Sequence, residues 1–294
     1  MKIAIFGQYY HYNTHNSIET LLEVVSNTKA QVFIEKGFYN IIKKEHPESK
    51  CLDSFKTFEN IDNSFDLLVS IGGDGTILRA TTYVGNLDVP IVGINTGRLG
   101  FLATIQPNQI KEAFEQIINN KHKISERTLL SVKTNPDHED LAKNNFALNE
   151  IAVSRKNTTS MITVHTKLNG EYLTSYWSDG LIISTPTGST GYSLSCGGPV
   201  ITPNANNLVI TPIAPHNLNA RPFVIPDDTE IELRVNGRED YYLMSLDSRI
   251  VTLHNSTIIT IKKADFKIKM VELLHESFID TLRKKLLWGE DKRN

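Results

Sequence analysis

An aspartate set among glycines, Gly72-Gly73-Asp74-Gly75-Thr76, is the first group of residues whose types suggest chemistry. Glycine permits positive φ and lets a ligand approach the backbone closely. Backbone N–H groups at a helix start favour phosphate. A carboxylate in that setting repels phosphate unless it sits beside a metal ion or a hydroxyl that must lose a proton. The plainer alternative is a strand-to-helix cap with Asp74 as N-cap. The spacing is neither G-x-G-x-x-G nor a P-loop, because no G-K-[ST] follows.

A second segment, Ser178 to Pro199, is crowded with hydroxyls and glycines after a short apolar strand. Hydroxyls and free N–H groups suit phosphate and sugar recognition, and Tyr192 offers a flat wall to a base. Pro186, Tyr192 and Leu194 give this loop bulk that a flexible surface loop lacks. Seven of the 17 glycines fall in these two windows, three in 72–75 and four in 188–198, so both turns are set apart from the rest of the chain. Two smaller signals are Asn149-Glu150, which interrupts the apolar run FALNEIAV, and Asn95 to Leu102, which follows a buried strand and carries Arg98. His11 and His15 are four apart in an expected loop, where a structural role is favoured over a metal site.

The elements around these residues divide at about residue 125. Before it, apolar runs at 3–6, 31–34, 66–71 and 90–94 alternate with helical spacings. Ile18, Leu21, Leu22 and Val25 form one such pattern, with Asn16 and Glu19 as its expected N-terminal cap, and Ile110, Ala113, Phe114 and Ile117 form another. Residues 76–84 predict a helix directly after the first glycine turn. This alternation predicts a Rossmann-like parallel sheet with helices on both faces, over residues 1–125. Residues 126–271 read as all-β, in a sandwich-like arrangement. Runs at 127–134, 145–155, 161–168, 171–178, 208–213, 230–235, 241–246, 257–262 and 266–273 are rich in Thr, Val, Ile and Tyr, and Asn169-Gly170 signals a hairpin. A final helical pattern (Phe278, Ile279, Leu282, Leu286) within 272–294 is expected to return to the first domain or to serve an oligomer interface.

Composition narrows the function classes. Lys plus Arg is 31 and Asp plus Glu is 33, so the net charge of -2 gives no bulk field for nucleic acid. No apolar run reaches the ~18–20 residues of a membrane span. The only cysteines, Cys51 and Cys196, make a disulfide framework and a cysteine-ligated zinc site poor expectations, and a reducing, cytoplasmic compartment is expected.

Five features in chain order resemble the ATP-dependent NAD kinase family: Gly72 to Thr76; Asn95 to Leu102; Asn149-Glu150; Asp179-Gly180 running on to Thr185-Pro186-Thr187-Gly188-Ser189-Thr190-Gly191-Tyr192 and Gly197-Gly198-Pro199; and Thr211 to His216 leading to Arg221-Pro222. A lone GGDG turn also occurs in lipid kinases and phosphofructokinases, whereas the long Thr-Pro-Thr-Gly-Ser-Thr-Gly-Tyr loop is specific. The resemblance implies Mg²⁺-dependent transfer of the ATP γ-phosphoryl group to the 2′-hydroxyl of the adenosine ribose of NAD. It implies that Asp74 orients or deprotonates that hydroxyl, and that Gly72, Gly73, Gly75 and Thr76 shape the triphosphate turn. Asn149, Glu150, Asp179, Thr187, Thr190, Gly191, Tyr192, Ser193, Leu194 and Ser195 would contact NAD together with Asp74 and Gly75, and Arg79 would reach a phosphate. The metal would ride on the triphosphate without fixed protein ligands, and a homodimer or homotetramer is implied. Where many bacterial members carry Gln, this chain has Arg249 after Asp247-Ser248, and Gly191 stands where Ala is frequent. The competing readings are a lipid or sugar kinase sharing the GGDG turn, and a dinucleotide sensor without catalysis.

Overall fold

A computed structural model describes residues 1–8, 12–45, 52, 55–157, 160–274 and 276–288, with the backbone alone for 12–16. His11, Cys51 and the His15 side chain lie outside the described residues. The chain forms two compact units, Met1–Glu126 with Ile268–Asn294, and Arg127–Lys267. Among the described residues no helix is long and apolar enough to cross a membrane.

The first unit begins with β1 (Lys2–Gly7), α1 (Tyr12–Ser26), β2 (Gln31–Glu35), α2 (Lys36–Glu45) and β3 (Lys56–Phe58). It continues with β4 (Leu67–Gly72), α3 (Asp74–Val84), β5 (Ile91–Asn95) and α4 (Ile110–Ile118). The strands lie in the order β5-β4-β1-β2-β3, all parallel. Each central strand is buried on both faces, which is why it reads as a continuous apolar run. Ile3, Ile5, Val69 and Val92 pack with Leu21 and Val25 of α1, Phe38 of α2 and Phe114 of α4. Helix α3 covers the opposite face: a Cβ on Gly93 of β5 would fall 2.4 Å from Ile77 Cδ1 and 2.8 Å from the Ala103 Cα. Helix α1 starts four residues before the expected Asn16 cap, so Asn16 lies inside the helix.

In the second unit the strands are β6 (His122–Asn135), β7 (Phe146–Ala147), β8 (Glu150–Arg155), β9 (Ile162–Leu168), β10 (Glu171–Ser178) and β11 (Gly180–Ser184). After the short α5 (Tyr192–Ser195) come β12 (Asn207–Ile213), β13 (Phe223–Pro226), β14 (Ile231–Asn236), β15 (Tyr241–Leu246), β16 (Arg249–His254) and β17 (Ile258–Leu273). One sheet runs β10-β9-β14-β17, with β6 beside β17 and β7 beside β6; the other runs β13-β12-β11-β8-β15-β16. A single core takes Val164, Leu233 and Ile259 from the first sheet and Val153, Ile183 and Met244 from the second, which is the layering of a sandwich. Asn169 and Gly170, both at positive φ, close the β9–β10 hairpin as their sequence predicts. The runs 257–262 and 266–273 are one strand, β17, whose end from Ile268 on belongs to the first unit, where Met270 pairs with Ile91 of β5.

The last helix, α6 (Phe278–Leu286), belongs to the first unit. It begins later than residue 272 because β17 continues to Leu273, and it starts at Ser277, whose Oγ accepts from the Asp280 N–H at 3.0 Å. Phe278 packs on Phe101 with ring centroids 6.3 Å apart, and Lys285 Nζ donates to the Leu99 carbonyl.

Candidate active site

The glycine turn sits between β4 and α3, at the carboxyl edge of the parallel sheet. Its three glycines have different reasons to be glycine. Gly72 has φ +149°, and a Cβ there would lie 2.2 Å from Thr76 Oγ1, so the chain's own geometry excludes any side chain. Thr76 is buried, and its hydroxyl is the atom pressed against Gly72. Gly73 and Gly75 are exposed, and a Cβ on either would meet nothing within 4 Å. No internal contact demands glycine at those two positions, which leaves open backbone beside a helix N-terminus.

Asp74 does not cap α3; Gly73 is the N-cap and there is no side-chain cap bond. The Asp74 carboxylate turns instead to the loop after β5. Its Oδ2 accepts from the Phe101 N–H at 2.8 Å, and its Oδ1 accepts from Leu102 N–H at 3.0 Å and Ala103 N–H at 2.9 Å. A Cβ on Gly100 would fall 2.0 Å from Asp74 Oδ1. The loop owes its shape to buried Asn95. Its side chain donates to the carbonyls of Arg98 (2.8 Å) and Ala103 (3.2 Å) and accepts from the Gly97 N–H (2.7 Å). The structure thus brings the Asn95–Leu102 stretch to the GGDG turn. A carboxylate offers about four acceptor positions, so three N–H bonds leave Asp74 one, on Oδ2.

Arg79 is five residues after Asp74, about 140° around the helix axis at 3.6 residues per turn. It does not share the Asp74 rim but lines a cavity of about 480 Å³ with Phe6, Gly7, Gln8, Phe38 and Tyr83. The Gln8 amide oxygen, in the orientation that satisfies both groups, accepts from Arg79 Nη1 at 2.6 Å and Nε at 2.8 Å.

In the second unit, Asn149-Glu150 and the 185–192 segment come together. Thr185 N–H donates to the Asn149 carbonyl at 2.9 Å, and Thr185 Oγ1 donates to the Leu148 carbonyl at 2.6 Å. Gly188 is packed so closely that a Cβ would lie 2.1 Å from the Asn149 carbonyl oxygen. At Gly191 a Cβ would meet Glu150 Oε2 at 3.0 Å. Asn149 Oδ1, Glu150 Oε2 and Thr187 Oγ1 are buried side-chain atoms with no hydrogen-bond partner within the described residues. Burial first, then the neighbouring Asp247, raises the Glu150 carboxyl to about 7, while a hydrogen bond from the Tyr192 backbone N–H works the other way. Tyr192 is exposed, and its phenol is raised by partial desolvation first and then by Cys196, Asp179 and Glu150.

The remaining expected residues divide by where they point. Asp179 is half-buried and pairs with Arg155 at 2.9 Å. Thr190 Oγ1 donates to the Thr187 carbonyl, whereas Ser195 is exposed and Leu194 half-buried. Ser193 faces inward, its hydroxyl 2.8 Å from Thr211 Oγ1, and a Cβ on Gly198 would lie 2.1 Å from it. Arg249 does not project from the site. Its guanidinium donates to the carbonyls of Asn144, at 2.5 Å, and of Phe146. Sequence reasoning missed Asp247, whose signal was two alternating runs, 241–246 and 249–254, separated by a two-residue turn.

Comparison with known proteins identifies the family. Residues 3–122 match the ATP-NAD kinase N-terminal domain and residues 148–273 the ATP-NAD kinase C-terminal domain. A protein of Christiangramia forsetii named NAD kinase is 61% identical over 294 residues, covering 100% of both chains. Among solved structures, yeast NADH kinase complexed with NADH superposes with a TM-score of 0.85 at 23% identity, covering 99% of this chain and 88% of that one. An NAD kinase from Archaeoglobus fulgidus in complex with ATP gives 0.75 at 25% identity, covering 98% of this chain and 99% of that one. The chain belongs to the ATP-NAD kinase family.

Proposed function

We propose that this protein transfers the γ-phosphoryl group of ATP to the 2′-hydroxyl of the adenosine ribose of NAD, giving NADP and ADP. The observation that carries the reading is the Asp74 carboxylate, fixed by three backbone N–H groups with one acceptor position left on Oδ2. That position receives the proton of the attacking hydroxyl. The hydroxyl oxygen bonds to the γ-phosphorus, and the bond from phosphorus to the β,γ-bridging oxygen breaks, its electron pair leaving with ADP. Phosphoryl transfer needs positioning and charge neutralisation more than covalent chemistry. The open faces of Gly73 and Gly75 accommodate the triphosphate, while Arg79, on another face of α3 and bonded to Gln8, is left out of this step.

A divalent ion such as Mg²⁺ would offset the triphosphate charge. On this reading the ion arrives on the nucleotide, and the single open acceptor of Asp74 is left for the attacking hydroxyl. The partnerless atoms Asn149 Oδ1, Glu150 Oε2 and Thr187 Oγ1 suit the adenine and ribose of NAD, with Tyr192 as an aromatic wall and Asp179, Thr190, Gly191, Leu194 and Ser195 beside them. Ser193 acts from behind, through Thr211. The same reading makes the protein a cytoplasmic homodimer or homotetramer.

The test is a panel of acceptors offered with labelled ATP and Mg²⁺. NADP formation is expected; label appearing in a lipid or sugar with NAD untouched would overturn the reading.

A further inference from the structure

The chain bends at residues 148–149 between β7 and β8, yet the backbone polar groups of residues 148–150 are all engaged. Asp247 sits in the two-residue turn between β15 and β16, in the left-handed region at φ +53°. Its Oδ2 accepts from the Leu148 N–H at 2.9 Å, and its Oδ1 accepts from Asn149 N–H at 2.8 Å and Glu150 N–H at 3.1 Å. Its own N–H donates to the Glu150 carbonyl at 2.9 Å. Thr185 engages the carbonyls of Leu148 and Asn149. Two residues on, Arg249 donates to the carbonyls of Asn144 and Phe146 and lies 5.5 Å from the centre of the Phe146 ring. The side-chain atoms Asn149 Oδ1 and Glu150 Oε2, by contrast, are buried without a partner. A fully held backbone that presents partnerless side-chain oxygens is the arrangement of a preorganised binding pair.

We propose that Asp247 and Arg249 are positioning residues for acceptor binding: Asp247 aims Asn149 and Glu150 by gripping their backbone, and Arg249 anchors the strand that leads into them. This rests on the reading of Asn149 and Glu150 as the pair that holds NAD. It assigns the Arg249 guanidinium to the protein's own carbonyls and not to substrate.

The test uses Asp247→Gly, Asp247→Asn and Arg249→Met in the full chain. Glycine and asparagine both accept the left-handed turn, so the hairpin is kept while the carboxylate is removed or halved. With ATP and Mg²⁺ saturating, Asp247→Gly is expected to raise KM for NAD roughly 10- to 100-fold with KM for ATP unchanged. Asp247→Asn, which keeps one acceptor oxygen, should recover part of the loss, and Arg249→Met should give a smaller rise of the same kind. Amide exchange at residues 148–150 should quicken in Asp247→Gly with exchange in β4 unaffected. An unchanged KM for NAD with only a smaller active fraction, or unchanged protection of 148–150, would overturn the proposal. If Asp247→Gly does not fold, Arg249→Met decides by the same readouts. A wild-type protein that neither binds nor phosphorylates NAD would instead sink the underlying reading, and the exchange measurement would still judge the grip.

Discussion

In the first unit Asp74 accepts hydrogen bonds from the N–H groups of residues 101–103; in the second Asp247 accepts them from residues 148–150. The geometry is nearly the same and the use is opposite. On the proposed reading, the loop at Asp74 holds a carboxylate that faces the chemistry. On the same reading, the carboxylate at Asp247 holds a loop whose side chains face the ligand. Each carboxylate keeps one acceptor position on Oδ2, so their surroundings are what separate them. Asp74 lies beside open glycine backbone, whereas the partnerless polar atoms near Asp247 belong to its neighbours Asn149 and Glu150. A motif of one acid and three N–H groups carries no function until the groups beside it are located.

The comparison breaks first at Asp74. Asp74→Asn keeps the shape but loses the base, and kcat is expected to fall roughly 10³-fold with the fold intact by circular dichroism. Turnover near wild type would reduce Asp74 to the same structural role as Asp247. Next is Gly100→Ala, whose Cβ would displace the carboxylate it touches. A kcat lower by about 10²-fold with little change in KM for NAD would show that the 100–103 loop sets the carboxylate's aim.

Glu150 gives a sharper, pH-dependent version. Its carboxyl is raised in the folded chain from 4.5 to about 7, by burial and by Asp247. The stability it contributes relative to an ionised chain is fully present below pH 4.5 and is lost as pH rises through about 7. Thermal melts of wild type and Glu150→Gln should therefore diverge between about pH 5 and about pH 8, the wild type losing more Tm. Parallel curves would mean that Glu150 is ionised throughout. The smallest effect is expected at Gly191→Ala. The new Cβ needs only a few tenths of an ångström from Glu150 Oε2, and KM for NAD should change by less than about 3-fold.

Much of the molecule is legible in the chain, and the failures share a cause. Strands buried on both faces and the Asn169-Gly170 hairpin announce themselves through local pattern. So does the GGDG turn, because Gly72 is demanded by a residue four positions away. The clamp on Asp74 comes from N–H groups 27 to 29 residues distant, and that on residues 148–150 from 97 to 99. A backbone donor leaves no mark on residue type, so neither clamp is visible in sequence. Arg249 shows the same limit: as a letter it suggests an anion, and in the fold it serves carbonyl oxygens. Local pattern also misleads at Asn16, where a good capping pair lies inside a helix that began earlier, and at Ala264-Asp265, where β17 runs on through an apparent break.

The seating of α6 bears on the order of synthesis. The loop that aims Asp74 rests through Phe101 and Leu99 on Phe278 and Lys285, and the neighbour of β5 is the end of β17. The unit translated first is therefore the last to be finished. Residues 1–126 leave the ribosome with an edge strand unpaired and the Asp74 loop unsupported, and they stay so until residues 268–286 emerge. A nascent chain stalled before β17 would carry every residue of the GGDG turn without the contacts that hold the Asp74 loop. Competence to transfer a phosphoryl group should arrive only with α6.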